Sequence, residues 1–309
     1  MKIRSMEELL QRCEERGKSI GEVMLEFEVN KSDRNREEVL GRMKERLVKM
    51  KEAVDHGTVD RSAAPSDISG GDACRLGQYR KESRPLSGDF IADAMRLAFA
   101  TSEHNARMGV IVATPTAGSA GVLPGCLFSL HDNAGYSFEK LVMGLMTASA
   151  VGYIVANRSF VSGAAGGCQA EVGSAVSMAA AAIVELRGGT PVQAVHAAAI
   201  SLKSMLGLVC DPVAGLVEVP CIKRNAIGTA IAFSSADIAM AGVESRIPCD
   251  EVIDAMYDIG KNMPRTLRET ALGGLAVTPT GQNVKDRLFN NREQQTCSSG
   301  SSNRREVET

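Results

Sequence analysis

Tryptophan is absent from this 309-residue chain, and aromatic residues make up only 4% of it. A core without large rings must be filled by small and flexible side chains, and alanine, 30 glycines and 14 methionines supply them. That composition suits helices packed closely through small residues. Excess charge is missing too. A net charge of -2 and a pI near 6.2 leave no electrostatic footprint for nucleic acid or an anionic membrane. Nowhere does the chain alternate apolar and polar residues for long, which argues against sheets. The opening MKIRSMEELLQRCEERGKS has neither an apolar core nor a small-residue cleavage site, so no secretory signal is read there and a cytoplasmic protein is expected.

Long apolar spans are also wanting. The uncharged run 108–130 is interrupted by Pro115, Pro124 and several glycines. The run 141–157 falls short of the roughly 20 residues that a spanning helix needs. Both read as buried interior, in keeping with the 44% of residues that are hydrophobic. Among the motifs that are lacking are a Walker loop, a GxSxG elbow, an HExxH zinc helix and a dinucleotide fingerprint. The four histidines have no short metal spacing. Eight cysteines in a chain expected to be cytoplasmic are not structural disulfides; thiols there are ligands, nucleophiles or inert packing.

Charge is distributed unevenly. Residues 1–60 carry 27 charged side chains, whereas residues 101–240 carry 15. In the first part, apolar residues fall at helical spacing, with Val39, Leu40, Met43, Leu47 and Met50 on one stripe. Ser32 or Asp33 is the expected cap of that helix and Gly57 its expected stop. Residues 61–88, rich in Ser, Gly, Asp and Pro, are expected to form a loop or lid that opens into a helix. Residues 89–281 form the core: small-residue helices separated by Gly and Pro, with MGVIVAT as the one strand-like piece. An all-α fold follows, because nothing shows the regular strand-to-helix alternation of a doubly wound sheet. Residues 282–309 are polar and expected to be a disordered tail.

Two stretches carry chemistry. TPTAGSAG places Thr116, Gly118 and Ser119 in a hydroxyl-bearing loop whose backbone amides can face a carboxylate or phosphate, although a plain turn is the commoner explanation. The second runs from Ser162 to Asn225 and sets Cys168, Cys210 and Cys221 beside chain breaks. Cys168 follows two glycines at an expected helix start, where exposed amides favour a thiolate. Cys210 is expected at a helix end. The separations are unlike a local CxxC knuckle, so spacing alone favours inert buried cysteines.

The stretches ATPTAGSAGVLPG, SGAAGGCQAEVG, LGLVCDPVAGLVEVPCIKRNAIG and RETALGGLAVTPTG closely resemble the α chain of the iron-sulfur-dependent L-serine dehydratases. The likeness runs from the first helix to about Gly281. It implies a mainly helical catalytic domain in which Cys168, Cys210 and Cys221 hold a 4Fe-4S cluster, a role in amino-acid catabolism and gluconeogenesis, and a β chain as partner. Three thiolates for four irons leave one iron open, and an open position is what lets a metal act as a Lewis acid on the hydroxyl of L-serine. Loss of the Cα proton and of water, followed by hydrolysis, gives pyruvate and ammonia without pyridoxal phosphate. Thr116, Gly118, Ser119 and Asn225 are the expected substrate-binding residues, Lys223 and Arg224 charge-balancing candidates, and the general base is unassigned, His131 and His196 being considered. Threonine or cysteine as substrate, and a non-catalytic cluster scaffold or sensor, are the competing functions. Cys13, Cys74, Cys126, Cys249 and Cys297 are given no ligand role.

Overall fold

Residues 2–299 are described for the backbone, and 2–289 for side chains, in this computed structural model. Among them are thirteen α-helices and no β-strand, so the all-α expectation holds. The helices are α1 Met6–Arg16, α2 Ile20–Lys31, α3 Arg36–Val59, α4 Asp72–Glu82, α5 Gly88–Ala106, α6 Val122–Ala134 and α7 Phe138–Arg158. They continue with α8 Gly163–Gly166, α9 Cys168–Leu186, α10 Pro191–Lys203, α11 Cys221–Met240, α12 Cys249–Asn262 and α13 Pro279–Ser299. The closest approach to a sheet is one parallel bridge between Cys210 and Arg268. MGVIVAT is irregular chain, not a strand.

The axis of the fold is α9, whose sequence CQAEVGSAVSMAAAAIVEL is small or apolar on every side. A helix of that kind has no wet face, and each of its residues except Glu185 is buried. Helices α6, α7, α10 and α11 surround it. α7 is long and apolar enough to cross a membrane by length and composition, but 61% of its apolar window is buried inside the protein. Small residues set the spacing of the outer layers as well. At Gly57 of α3, a Cβ would lie 2.0 Å from the Ala100 carbonyl oxygen, so α3 and α5 cross with backbones nearly touching.

Several sequence-level boundaries move, each for a local reason. Asn35, not Ser32 or Asp33, caps α3, because Glu38 three residues later completes a reciprocal capping box. Gly57 serves the α5 crossing instead of ending the helix, which runs on to Val59. The segment 61–88 is not all loop, since it contains α4. The expected tail is helical from Pro279 to Ser299, its start held by Gly281, whose amide donates to Thr278 Oγ1. Residues 300–309 lie outside the described residues.

Interior acids have a shared task. Asp250 accepts from the amides of Met6 and Glu7 at the start of α1, at 2.9 and 3.1 Å. Glu185 does the same for Ile20 and Gly21 of α2, at 2.8 and 3.0 Å. Fully buried Glu103 takes the Asp72 and Ala73 amides of α4, at 2.6 and 3.4 Å. Helix N-termini expose unpaired amides and positive potential, so a carboxylate from another helix both caps and docks them. Replacing Glu103 by Ala should orphan the α4 amides and lower stability by about 1–3 kcal/mol in chemical denaturation.

Candidate metal centre

Of the three helices that open with a cysteine, α9, α11 and α12, none has a side-chain cap, and the first two bring their cysteines to one place. α9 opens at Cys168, after Gly167 has turned the chain with φ of 80°. α11 opens at Cys221, after Pro220. Both cysteines are buried. Free first-turn amides and the helix dipole favour a sulfur anion, although burial outweighs them at Cys221. Cys210 comes from elsewhere: instead of ending a helix, it lies in extended chain beyond α10. Its amide donates to Leu267 O at 2.9 Å and its carbonyl accepts from the Glu269 amide at 2.7 Å. Buried Gln169 brings that strand of chain to α9, accepting from the Gly207 amide with its side-chain oxygen while its own backbone amide donates to Leu208 O, both at 2.9 Å.

The sulfurs of Cys168 and Cys210 and a carboxylate oxygen of Glu171 lie within 4.8 Å of one another. Glu171 stands one turn along α9 from Cys168 and is itself buried. Cys221 adjoins this group closely enough that charge on Cys168 pushes its thiol up, after the larger effect of burial. A hydrogen bond from Cys210 holds the Cys168 thiol below its usual range, assisted by the guanidinium of Arg224; the same bond, with burial, pushes Cys210 up. Arg224 donates to Cys168 Sγ at 3.3 Å, to Val209 O at 2.8 Å and to Asp211 Oδ1 at 3.0 Å. The other oxygen of Asp211 accepts from the Leu275 amide at 2.8 Å, tying the GGLA segment to the centre.

The four expected substrate residues gather on one side. Asn225, next to Arg224 on α11, donates to Gly118 O at 2.7 Å and to Cys221 O at 2.9 Å, and its oxygen accepts from the Gly121 amide at 3.0 Å. It therefore clamps the Thr116–Ser119 loop to the Cys221 helix. Thr116 donates its hydroxyl to Glu171, and Ser119 donates to Thr114 O at 3.0 Å. Lys223 points away and pairs with Asp72. His131 is occupied with Tyr136 O and the ring of Phe138, and His196 accepts from the Ser245 amide. Cys13, Cys126 and Cys249 are buried away from this group, burial pushing Cys13 and Cys249 to about 12. The side chain of Cys297 lies outside the described residues.

Glu171 is the residue that sequence reasoning passed over. Its signal was available: it is the only charged side chain between Arg158 and Glu185, and it sits three residues from a candidate ligand. Burial pushes its carboxyl up, partly offset by the Thr116 hydroxyl, and the charge of Glu269 pushes it further.

The donor set fits a thiophilic metal group: three buried sulfurs from three segments, a guanidinium bonded to one of them, and two helix N-termini. The cradle is also shaped for it. A Cβ at Gly163 would lie 2.7 Å from Cys210 Sγ and 3.2 Å from Glu171 Oε2. Gly163→Ala should therefore lower metal affinity by about 10–100-fold in chelator competition. Gly41→Ala, where nothing lies within 4 Å of the added methyl, should leave it unchanged.

Comparison with known proteins points the same way. The chain is 52% identical over 286 residues to a probable L-serine dehydratase alpha chain of Bacillus subtilis, covering 93% of this chain and 95% of that one. It is 44% identical to the L-serine dehydratase alpha chain of Peptoniphilus asaccharolyticus, covering 90% and 95%. An L-serine dehydratase of Escherichia coli is 35% identical, over 87% of this chain but 60% of its own length. The family described as serine dehydratase alpha chain matches residues 15–276, spanning the helical core and all three cysteines of the centre. This chain belongs to the serine dehydratase alpha-chain family.

Proposed function

We propose that this protein is the α chain of an iron-sulfur L-serine dehydratase, converting L-serine to pyruvate and ammonia. The observation that carries the reading is the convergence of Cys168 and Cys210 with Glu171, beside Cys221 and Arg224, in a chain whose relatives bear that name. Cys168, Cys210 and Cys221 would hold a 4Fe-4S cluster. When bound, such a cluster supplies a Lewis-acidic iron for the substrate hydroxyl.

The chain's own residues prepare the rest. Arg224 offsets the negative charge of Cys168, and Asp211 holds the guanidinium in place. Asn225 fixes the 116–119 loop, the proposed seat of the substrate carboxylate. Buried walls of small residues around α9 exclude water and oxidants. A β chain would complete the enzyme. Support comes from two relatives that are named as alpha chains, and from the Escherichia coli relative, much of which has no counterpart here.

Anaerobically purified protein, with its β chain co-expressed, should contain iron and sulfide and release pyruvate from L-serine without pyridoxal phosphate, faster than from L-threonine or L-cysteine. Cys210→Ser should lose both the iron and the activity. Cys249→Ser, in a cysteine that is buried at the start of α12, should keep both. Equal losses in the two variants would defeat the ligand assignment.

A further inference from the structure

The loop beside the metal centre has spent its hydroxyl protons. Thr116 donates to Glu171 Oε1 and Ser119 donates to Thr114 O, while the amide of Asn225 donates to the Gly118 and Cys221 carbonyls. What this side of the centre keeps is an acceptor, the carboxylate of Glu171. Glu171 as a whole is 6% exposed, and the Thr116 hydroxyl is the one hydrogen-bond donor to its carboxylate among the described residues. No lysine or arginine forms a salt bridge with it there, and Arg224 is already engaged by Cys168, Val209 and Asp211.

Two glycines bring backbone close to the carboxylate without covering it with a side chain. A Cβ at Gly118 would lie 2.7 Å from Oε1 and 3.0 Å from Oε2, and one at Gly163 would lie 3.2 Å from Oε2. A side chain at either place would crowd a carboxylate that no cationic side chain among the described residues neutralises. A buried, unpaired carboxylate is costly unless a cation arrives to meet it. An α-amino acid brings one such group, its ammonium, within reach of a site that already handles its hydroxyl and carboxylate.

We infer that Glu171 binds the α-ammonium of the substrate and is thereby the residue that selects an amino acid over the corresponding hydroxy acid. The inference rests on the serine dehydratase reading. It divides the substrate among three supports: hydroxyl to the metal, carboxylate to the 116–119 loop, ammonium to Glu171. The three contacts together also fix which face of the Cα carbon is presented for proton removal.

The test compares L-serine with 3-hydroxypropionate, the same molecule without its ammonium, on the anaerobic holoenzyme. Binding is read from the change in cluster absorbance on rapid mixing, within the first turnover, and iron and sulfide are measured on every sample. Wild type should prefer L-serine. Glu171→Gln keeps the shape and the Thr116 hydrogen bond but removes the charge; it should hold its iron, lose L-serine affinity by about thirtyfold or more, and bind 3-hydroxypropionate no worse than wild type does. Glu171→Asp should retain a preference for L-serine, since charge and not shape is the cause. Undiminished L-serine binding by an iron-replete Glu171→Gln would overturn the inference. So would loss of iron in that variant, which would make Glu171 a metal ligand. Wild-type protein that holds no iron and binds no L-serine would overturn the serine dehydratase reading and this inference together.

Discussion

An interior poor in charge cannot leave a helix end unattended. Where a helix starts inside the packed core, as α9 does, solvent does not reach its first turn, and unpaired amides in such a place have to find partners. Three of the N-termini are met by carboxylates sent from other helices, Asp250, Glu185 and Glu103. Three others open with a cysteine, α9, α11 and α12. Of these, Cys168 at the head of α9 has its thiol held below the usual range, by Cys210 and by Arg224.

That arrangement explains why the centre is assembled from parts far apart in the chain. α9 supplies both Cys168 and Glu171, one turn apart, while α11 supplies Cys221, Arg224 and Asn225 over its first turn and a half. Cys210 rides on extended chain that Gln169 pulls in from one side and Leu267 and Glu269 from the other. Asn225 and Asp211 then extend the network outward, the first to the Thr116–Ser119 loop and the second to the GGLA segment. Each of the stretches that resemble the dehydratase family in sequence meets the others here. They share one polar cluster, in which a change to any member leaves another without a partner.

Much of this was legible beforehand, and the reasons differ from element to element. Helix identity came from apolar spacing and from Gly and Pro at the ends, so α1, α2, α7 and α10 could be read, while their caps Ser5, Ser19, Ser137 and Thr190 emerge from the structure. The cap of α3 was misjudged because Ser32, Asp33 and Asn35 are all good caps, and only the reciprocal bond with Glu38 selects among them. Gly57 looked like a terminator because a glycine needed for a close crossing is indistinguishable, in sequence, from one that ends a helix. Cys210 was assigned to a helix end because the chain after Lys203 keeps a helical composition through MLGLV while its backbone has already left the helix.

By itself the sequence determined a helical protein, its charged N-terminal layer and its apolar interior, since those follow from composition and period, while the resemblance to the dehydratase family singled out three cysteines. Only the tertiary structure decided what surrounds those cysteines. It turned Arg224 toward Cys168 and Lys223 away from it, committed the Thr116 and Ser119 hydroxyls to acceptors within the protein, and brought Glu171 forward as a buried carboxyl group. The physical reason is that neighbouring residues on a helix face different directions, and which of them meets a distant segment depends on how whole helices pack, a property no local pattern contains.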